Sequence, residues 1–150
     1  MIITDEMRQA IGIVSDPYIY EIEKEPIRRW ADAIGDSNPL FRDETYARNL
    51  GYRSIIAPPG FVQAYAYPVL HGKLNSILKN PFKLFIHGGD IFELFQTVQA
   101  GDTITMTRKI SDIYEKQGKN DLMLFVTTEF RFTNQNDELV AVDRQTIISY

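Results

Sequence analysis

The segment Phe61–Leu70 (Phe-Val-Gln-Ala-Tyr-Ala-Tyr-Pro-Val-Leu) contains no lysine, arginine, aspartate or glutamate. It is apolar on nearly every side. A helix of that kind has no face to offer to water, so the rest of the chain must enclose it. Pro68, near its end, would bend or stop it. Whatever encloses such a helix has to present a long apolar surface, and the residues from Lys83 onward supply one. There the pattern turns to period two, predicting strands over Lys83–Val98 (interrupted at Gly88-Gly89), Thr103–Tyr114, Leu122–Phe132 and Leu139–Tyr150. The connections Ala100-Gly101-Asp102, Gln117-Gly118-Lys119-Asn120 and Asn134-Gln135-Asn136-Asp137 are rich in turn formers. Long strands joined by short turns predict an antiparallel meander.

The first half of the chain reads differently. Tyr18–Ile22 alternates well enough for a short strand. A helix follows, with Pro26 in its first turn, where a missing N–H is tolerated. Ile27, Trp30, Ala31 and Ile34 fall at i, i+3, i+4 and i+7 and form one apolar stripe, predicted to face the core. Gly35 ends that helix. Asp43 is placed to cap a second, Glu44 to Leu50, which Gly51 closes. Helices first and strands afterwards predict an α+β fold, and a long antiparallel sheet wrapped around one buried helix is the hot-dog architecture. No repeat, linker or low-complexity stretch divides the 150 residues, so a single domain spanning 1–150 is expected.

Composition narrows the functions. A net charge of −4 with no Lys/Arg block gives no footprint for nucleic acid. No apolar run is long enough to span a bilayer, and residues 1–6 lack the basic and apolar regions of a signal peptide, so a cytoplasmic location is expected. The absence of cysteine removes thiol chemistry and thiolate metal sites. The two histidines, His71 and His87, lie in no metal-ligand spacing, so neither a metal nor any other cofactor is expected.

Gly35-Asp36-Ser37-Asn38-Pro39-Leu40-Phe41 sets a short acid and an amide on a rigid turn just after a helix. It resembles the Gly-Asp-x-Asn-Pro-Leu-His signature of the MaoC-like (R)-specific enoyl hydratases and hydroxyacyl dehydratases. Two further stretches carry the same resemblance: Ala57-Pro58-Pro59-Gly60-Phe61 at the entry to the apolar helix, and His87-Gly88-Gly89-Asp90 through Gly101-Asp102. The resemblance as a whole spreads over most of the chain, from about Tyr20 to the last residue. The chain departs from the pattern at one place, where Phe41 replaces the histidine. The likeness is to the half-length, N-terminal-type domains of the family.

The resemblance implies hydration of a trans-2-enoyl thioester, or dehydration of an (R)-3-hydroxyacyl thioester, by an aspartate and a histidine that hold a water. It also implies a backbone N–H at the start of the central helix that polarises the thioester carbonyl. Helix N-termini suit a developing oxyanion, and glycine at position 60 lets a substrate approach the backbone closely. Asp36 is thus the candidate catalytic residue, and Asn38, Phe41, Gly60, Phe61 and His87 are candidate substrate contacts. For Asp36 and Asn38 the competing reading is an Asx turn that only shapes the loop. Loss of a positioned base removes about 10²–10⁴-fold in rate, and a phenyl ring cannot replace it. Phe41 therefore reads as the wall of an apolar acyl pocket. His71 falls at the far end of the central helix, whereas His87 is the imidazole that could substitute. Tyr65 and Tyr67 line either an acyl channel or the core. Arg28, Arg29, Arg42, Arg48 and Arg53 are candidate contacts for a pantetheine phosphate.

The function expected is an acyl-binding, non-catalytic subunit of a heteromeric hydratase or dehydratase. It would pair sheet edge to sheet edge with a chain that carries the complete Asp–His pair, and its ligand would be an acyl-CoA or acyl-carrier-protein thioester. Two alternatives stay open: a homodimeric hydratase or thioesterase using Asp36, and an acyl-CoA binding protein without turnover.

Overall fold

The computed structural model describes residues 2–66, 80–119 and 121–150, with only the backbone of residues 65 and 66. Tyr67, Pro68 and His71, and the second half of the expected apolar helix, lie outside the described residues.

Among the described residues the α-helices α1 (Asp5–Ala10), α2 (Lys24–Ala33), α3 (Glu44–Asn49) and α4 (Phe61–Ala66) accompany the strands β1 (Tyr18–Glu21), β2 (Phe85–Leu94), β3 (Thr103–Gln117), β4 (Leu122–Thr133) and β5 (Leu139–Ser149). Local chemistry explains several ends. The Thr4 side chain accepts from the Met7 N–H and starts α1, and the Asp43 carboxylate accepts from the Tyr46 N–H and starts α3. The helix α1 was not anticipated from the sequence. It docks Met7 and Ala10 on Ile110, Ile113, Leu124 and Val126 in a small cluster of their own.

The five strands form one antiparallel sheet in the order β1-β3-β4-β5-β2. The expected meander is present in β3-β4-β5. The strand before it, however, joins β5 at the far end instead of lying beside β3. Pairing over that distance depends on which apolar faces must be buried together, and no local pattern encodes it. The break expected at Gly88-Gly89 is a bulge inside one continuous strand, because the register with β5 shifts between His87 and Gly89.

The main core joins α4 to the sheet. Phe61 and Val62 pack with Ile104, Met106, Phe130, Phe132, Val140 and Ala141, while Ile27 and Ala31 of α2 close the same cluster. Trp30 meets the Phe61 ring edge-on at 6.1 Å. Ile34, expected on the buried stripe, is instead exposed. It caps α2 rather than continuing it, and the next turn leads the chain away from the core. This is the hot-dog arrangement, a long antiparallel sheet curled on a central helix.

The two edges of the sheet differ. β1 is four residues long, whereas β2 is ten and exposed along nearly its whole length. Leu84, Phe85, Ile86, Ile91, Leu94 and Phe95 all present large apolar side chains to solvent there.

Candidate functional site

The loop after α2 is built by its own polar groups. The Asn38 N–H donates to Asp36 Oδ1 at 2.9 Å, and the Leu40 N–H donates to Asn38 Oδ1 at 3.0 Å. Two overlapping Asx turns thus lead into the 3-10 turn Pro39–Phe41. Arg42 clamps the loop from outside, donating to the Asp36 carbonyl at 2.7 Å and pairing with Asp32. Phe41 is 5% exposed and belongs to the main core with Ile22, Ile27, Ile55 and Phe61. The aspartate-and-amide pair read from the sequence therefore stands on a turn whose next inward side chain is core.

Gly60 precedes α4 with φ +85, a left-handed conformation that a side chain would strain. The Phe61 N–H turns back to the Pro58 carbonyl at 3.1 Å. Phe61 itself is buried at the contact between α2, α4 and the sheet. Tyr20, on β1, donates its hydroxyl to the Val62 carbonyl at 3.3 Å.

His87 belongs to a network the sequence did not disclose. His87 Nε2 lies 3.0 Å from Asp90 Oδ1. The Gln63 side-chain amide, in the first turns of α4, donates to Asp90 Oδ2 at 3.2 Å and to Asp143 Oδ2 at 2.9 Å. The Gln63 backbone N–H in turn donates to the Gly60 carbonyl at 3.1 Å. A hydrogen-bonded chain therefore runs from the candidate thioester contact, through one turn of α4, to an imidazole on the edge strand. Asp143 is 1% exposed and its Oδ1 finds no partner among the described residues. Burial, reinforced by the neighbouring Asp90 carboxylate, pushes its acid up to about 6, while Gln63 and His87 pull it partly back.

One signal of this network was present in the sequence. Asp143 is a lone acid at the end of the apolar run Leu139–Val142, in step with the inward-facing Ala141. Arg108 is the matching case on β3. It sits in the buried row Ile104, Met106, Ile110, is 4% exposed, and its Nε finds no acceptor among the described residues. Its register partner is Phe130, and that of Phe130 on the next strand is Asp143, so the two buried charged side chains flank a core phenylalanine in one cross-strand row.

The candidate phosphate-binding arginines do not gather into one patch. Arg28 and Arg42 serve the loop, Arg28 Nε donating to the Arg42 carbonyl at 3.3 Å, and Arg29 pairs with Glu25. Arg48 and Arg53 join Lys24 around a groove of about 610 Å³, where Glu21, Glu23, Glu25 and Glu44 outnumber them. Among the described residues no group of three or more His, Asp or Glu side chains could hold a metal ion. No helix among them is long and apolar enough to cross a membrane.

Fold and loop together define a MaoC-like dehydratase architecture of the hot-dog class. The chain superimposes on the ChsH1-ChsH2 complex from Mycobacterium tuberculosis with a TM-score of 0.83 at 20% identity, covering 97% of this chain and 89% of that one. It also superimposes on the C-terminally truncated HadBC (3R-hydroxyacyl-ACP dehydratase) complex of the same organism with a TM-score of 0.78 at 26% identity, covering 93% and 97%. Residues 9–143 match the family model of the FAS1-like dehydratase domain region, and the chain belongs to that family. It is 32% identical over 135 residues to the UPF0336 protein of Parafrankia sp. (strain EAN1pec), a span of 87% of this chain and 84% of that protein.

Proposed function

We propose that this chain is a hot-dog domain spanning 1–150 that serves as the acyl-binding subunit of a heteromeric (R)-specific enoyl-thioester hydratase or 3-hydroxyacyl-thioester dehydratase, with the Asp–His pair supplied by its partner. The observation that carries this reading is Phe41. Where the resemblance places the imidazole that works with the aspartate, a phenyl ring lies 5% exposed in the core, and the Asp36 Oδ1 is occupied by a turn. A carboxylate without a neighbouring base is a poor engine for water addition.

The partner reading is supported by the ten-residue edge β2, which presents a row of apolar side chains. A long apolar edge is an aggregation hazard unless another strand covers it. Two of the structural neighbours are complexes of differently named chains. A second hot-dog chain pairing with β2 would extend the sheet and bury that row. The ligand in this reading is an acyl thioester on CoA or on a carrier protein.

The test is crotonyl-CoA hydration by the purified chain, alone and mixed with a homologous chain that keeps the Gly-Asp-x-Asn-Pro-x-His sequence. The expected result is no turnover alone and recovery in the mixture, unaffected by Asp36→Asn in this chain. Turnover by the chain alone that disappears in Asp36→Asn would overturn the subunit reading and make the chain a hydratase by itself.

A further inference from the structure

β2 places a histidine and a carboxylate where an ordinary strand could not. In a regular strand, residues three apart point to opposite faces. His87 and Asp90 nevertheless meet at 3.0 Å, because the ladder with β5 passes from His87 directly to Gly89 and leaves Gly88 as an extra residue. Such bulges re-aim side chains, and they concentrate at sheet edges and beside active sites. Both glycines serve this one. A Cβ on Gly88 would come within 3.0 Å of the Ile148 side chain and of the Thr146 carbonyl, and Gly89 holds φ +155. What the bulge produces is an imidazole with its Nε2 turned to a carboxylate.

The carboxylate is itself held. Asp90 Oδ2 accepts from the Gln63 amide, which is fixed at its other contact by the buried Asp143. With Asp90 accepting, the proton of a neutral His87 resides on Nε2, and Nδ1 keeps a free lone pair. The side chain is half exposed, and Nδ1 has no hydrogen-bond partner among the described residues. Its support runs through Gln63 to the first turn of α4, adjoining Gly60. An oriented base, a carboxylate that orients it and a neighbouring helix start together form the constellation by which a site is recognised from its geometry.

We propose that His87, oriented by Asp90 across the Gly88 bulge, is a ligand contact of this subunit, its Nδ1 accepting a hydrogen bond from a donor on the acyl thioester. This inference rests on the acyl-thioester reading above. The ligand offers donors at two ends: the hydroxyl of a 3-hydroxyacyl group, and the amide N–H and hydroxyl groups of the carrier moiety. Asp90 and Gln63 are positioning residues in this arrangement.

The 150-residue chain is titrated with (R)-3-hydroxybutyryl-CoA, crotonyl-CoA and free CoA by calorimetry, as wild type, His87→Ala and Asp90→Asn. In parallel, the imidazole nitrogens are followed by ¹⁵N NMR, where two histidines make assignment simple. The expected result is a Nδ1 resonance that moves on ligand addition and a loss of about three- to tenfold in affinity in His87→Ala, the scale of one hydrogen bond. In Asp90→Asn the ring is expected to redistribute its tautomers and affinity to fall by less. Loss confined to 3-hydroxybutyryl-CoA assigns the donor to the 3-hydroxyl, and equal loss for all three assigns it to the CoA moiety they share. Wild-type affinity in His87→Ala, or an unmoved Nδ1 at saturation, overturns the His87 assignment and leaves the thioester reading standing. If wild-type protein binds none of the three, the thioester reading falls and takes this inference with it.

Discussion

The turn at Asp36–Phe41 and the bulge at His87–Asp90 each combine a carboxylate with a ring, and they use the combination in opposite ways. In the turn, Asp36 Oδ1 satisfies a backbone N–H and the ring points into the core. In the bulge, the carboxylate faces an imidazole that is half exposed. The first arrangement spends its polar groups on shape. The second keeps a polar atom available. Motif likeness alone draws the eye to the first, while local geometry favours the second.

The contrast breaks most visibly at Phe41. If the ring is core, Phe41→Ala leaves a cavity and lowers stability by about 3–5 kcal/mol in urea denaturation. A cost below about 1 kcal/mol would mean that the ring lines an open pocket and that the two regions are more alike than described. Asp143 sharpens the other side. Its folded-state acid is raised from 3.8 to about 6. Below the unfolded value both states are protonated and nothing is lost. As pH rises from about 4 to about 6 the unfolded chain ionises first, and stability falls by up to about 3 kcal/mol at 1.36 kcal/mol per unit. The stability of Asp143→Asn relative to wild type should therefore grow across that window and then level off, as thermal melts at successive pH values would record. A flat difference would detach Asp143 from the network.

Smaller effects test the devices themselves. Gly88→Ala forces a methyl against Ile148 and the Thr146 carbonyl, and about 1–3 kcal/mol should be lost. Amide exchange along β2 should rise with it. Asn38→Ala removes the side-chain acceptor for the Leu40 N–H and should cost about 1 kcal/mol. His87→Ala should change stability by less than about 0.5 kcal/mol, since a half-exposed ring supports little packing. A large loss there would make His87 structural and erase the contrast between the two regions.

Much of the architecture was legible because it is written locally. The charge-free run after Gly60 announced the helix that starts at Phe61, whose first two side chains are buried, and turn formers marked the strand ends within a few residues. Asp43 and Gly51 bracketed α3. Ile34 misled because an apolar residue in helical phase is no longer on the helix once the turn has begun. Strand order was hidden, since β2 and β5 meet through faces rather than through neighbouring sequence. The network was hidden for the same reason. Gln63, Asp90 and Asp143 belong to three separate segments, and the paired glycines that join His87 to Asp90 look like an ordinary strand break when read in line.

The strand order also carries a consequence for how the molecule comes into being. β2 is synthesised before β3, β4 and β5, yet its ladder partner among the described residues is β5, with Phe85 opposite Ser149 and Leu94 opposite Ala141. Until the ribosome has released β5, the nascent chain carries an apolar strand with nothing to bind, a state that invites chaperones or mispairing. β5 therefore works as a clasp. A partner at the exposed edge would find β2 ready only after β5 has closed behind it.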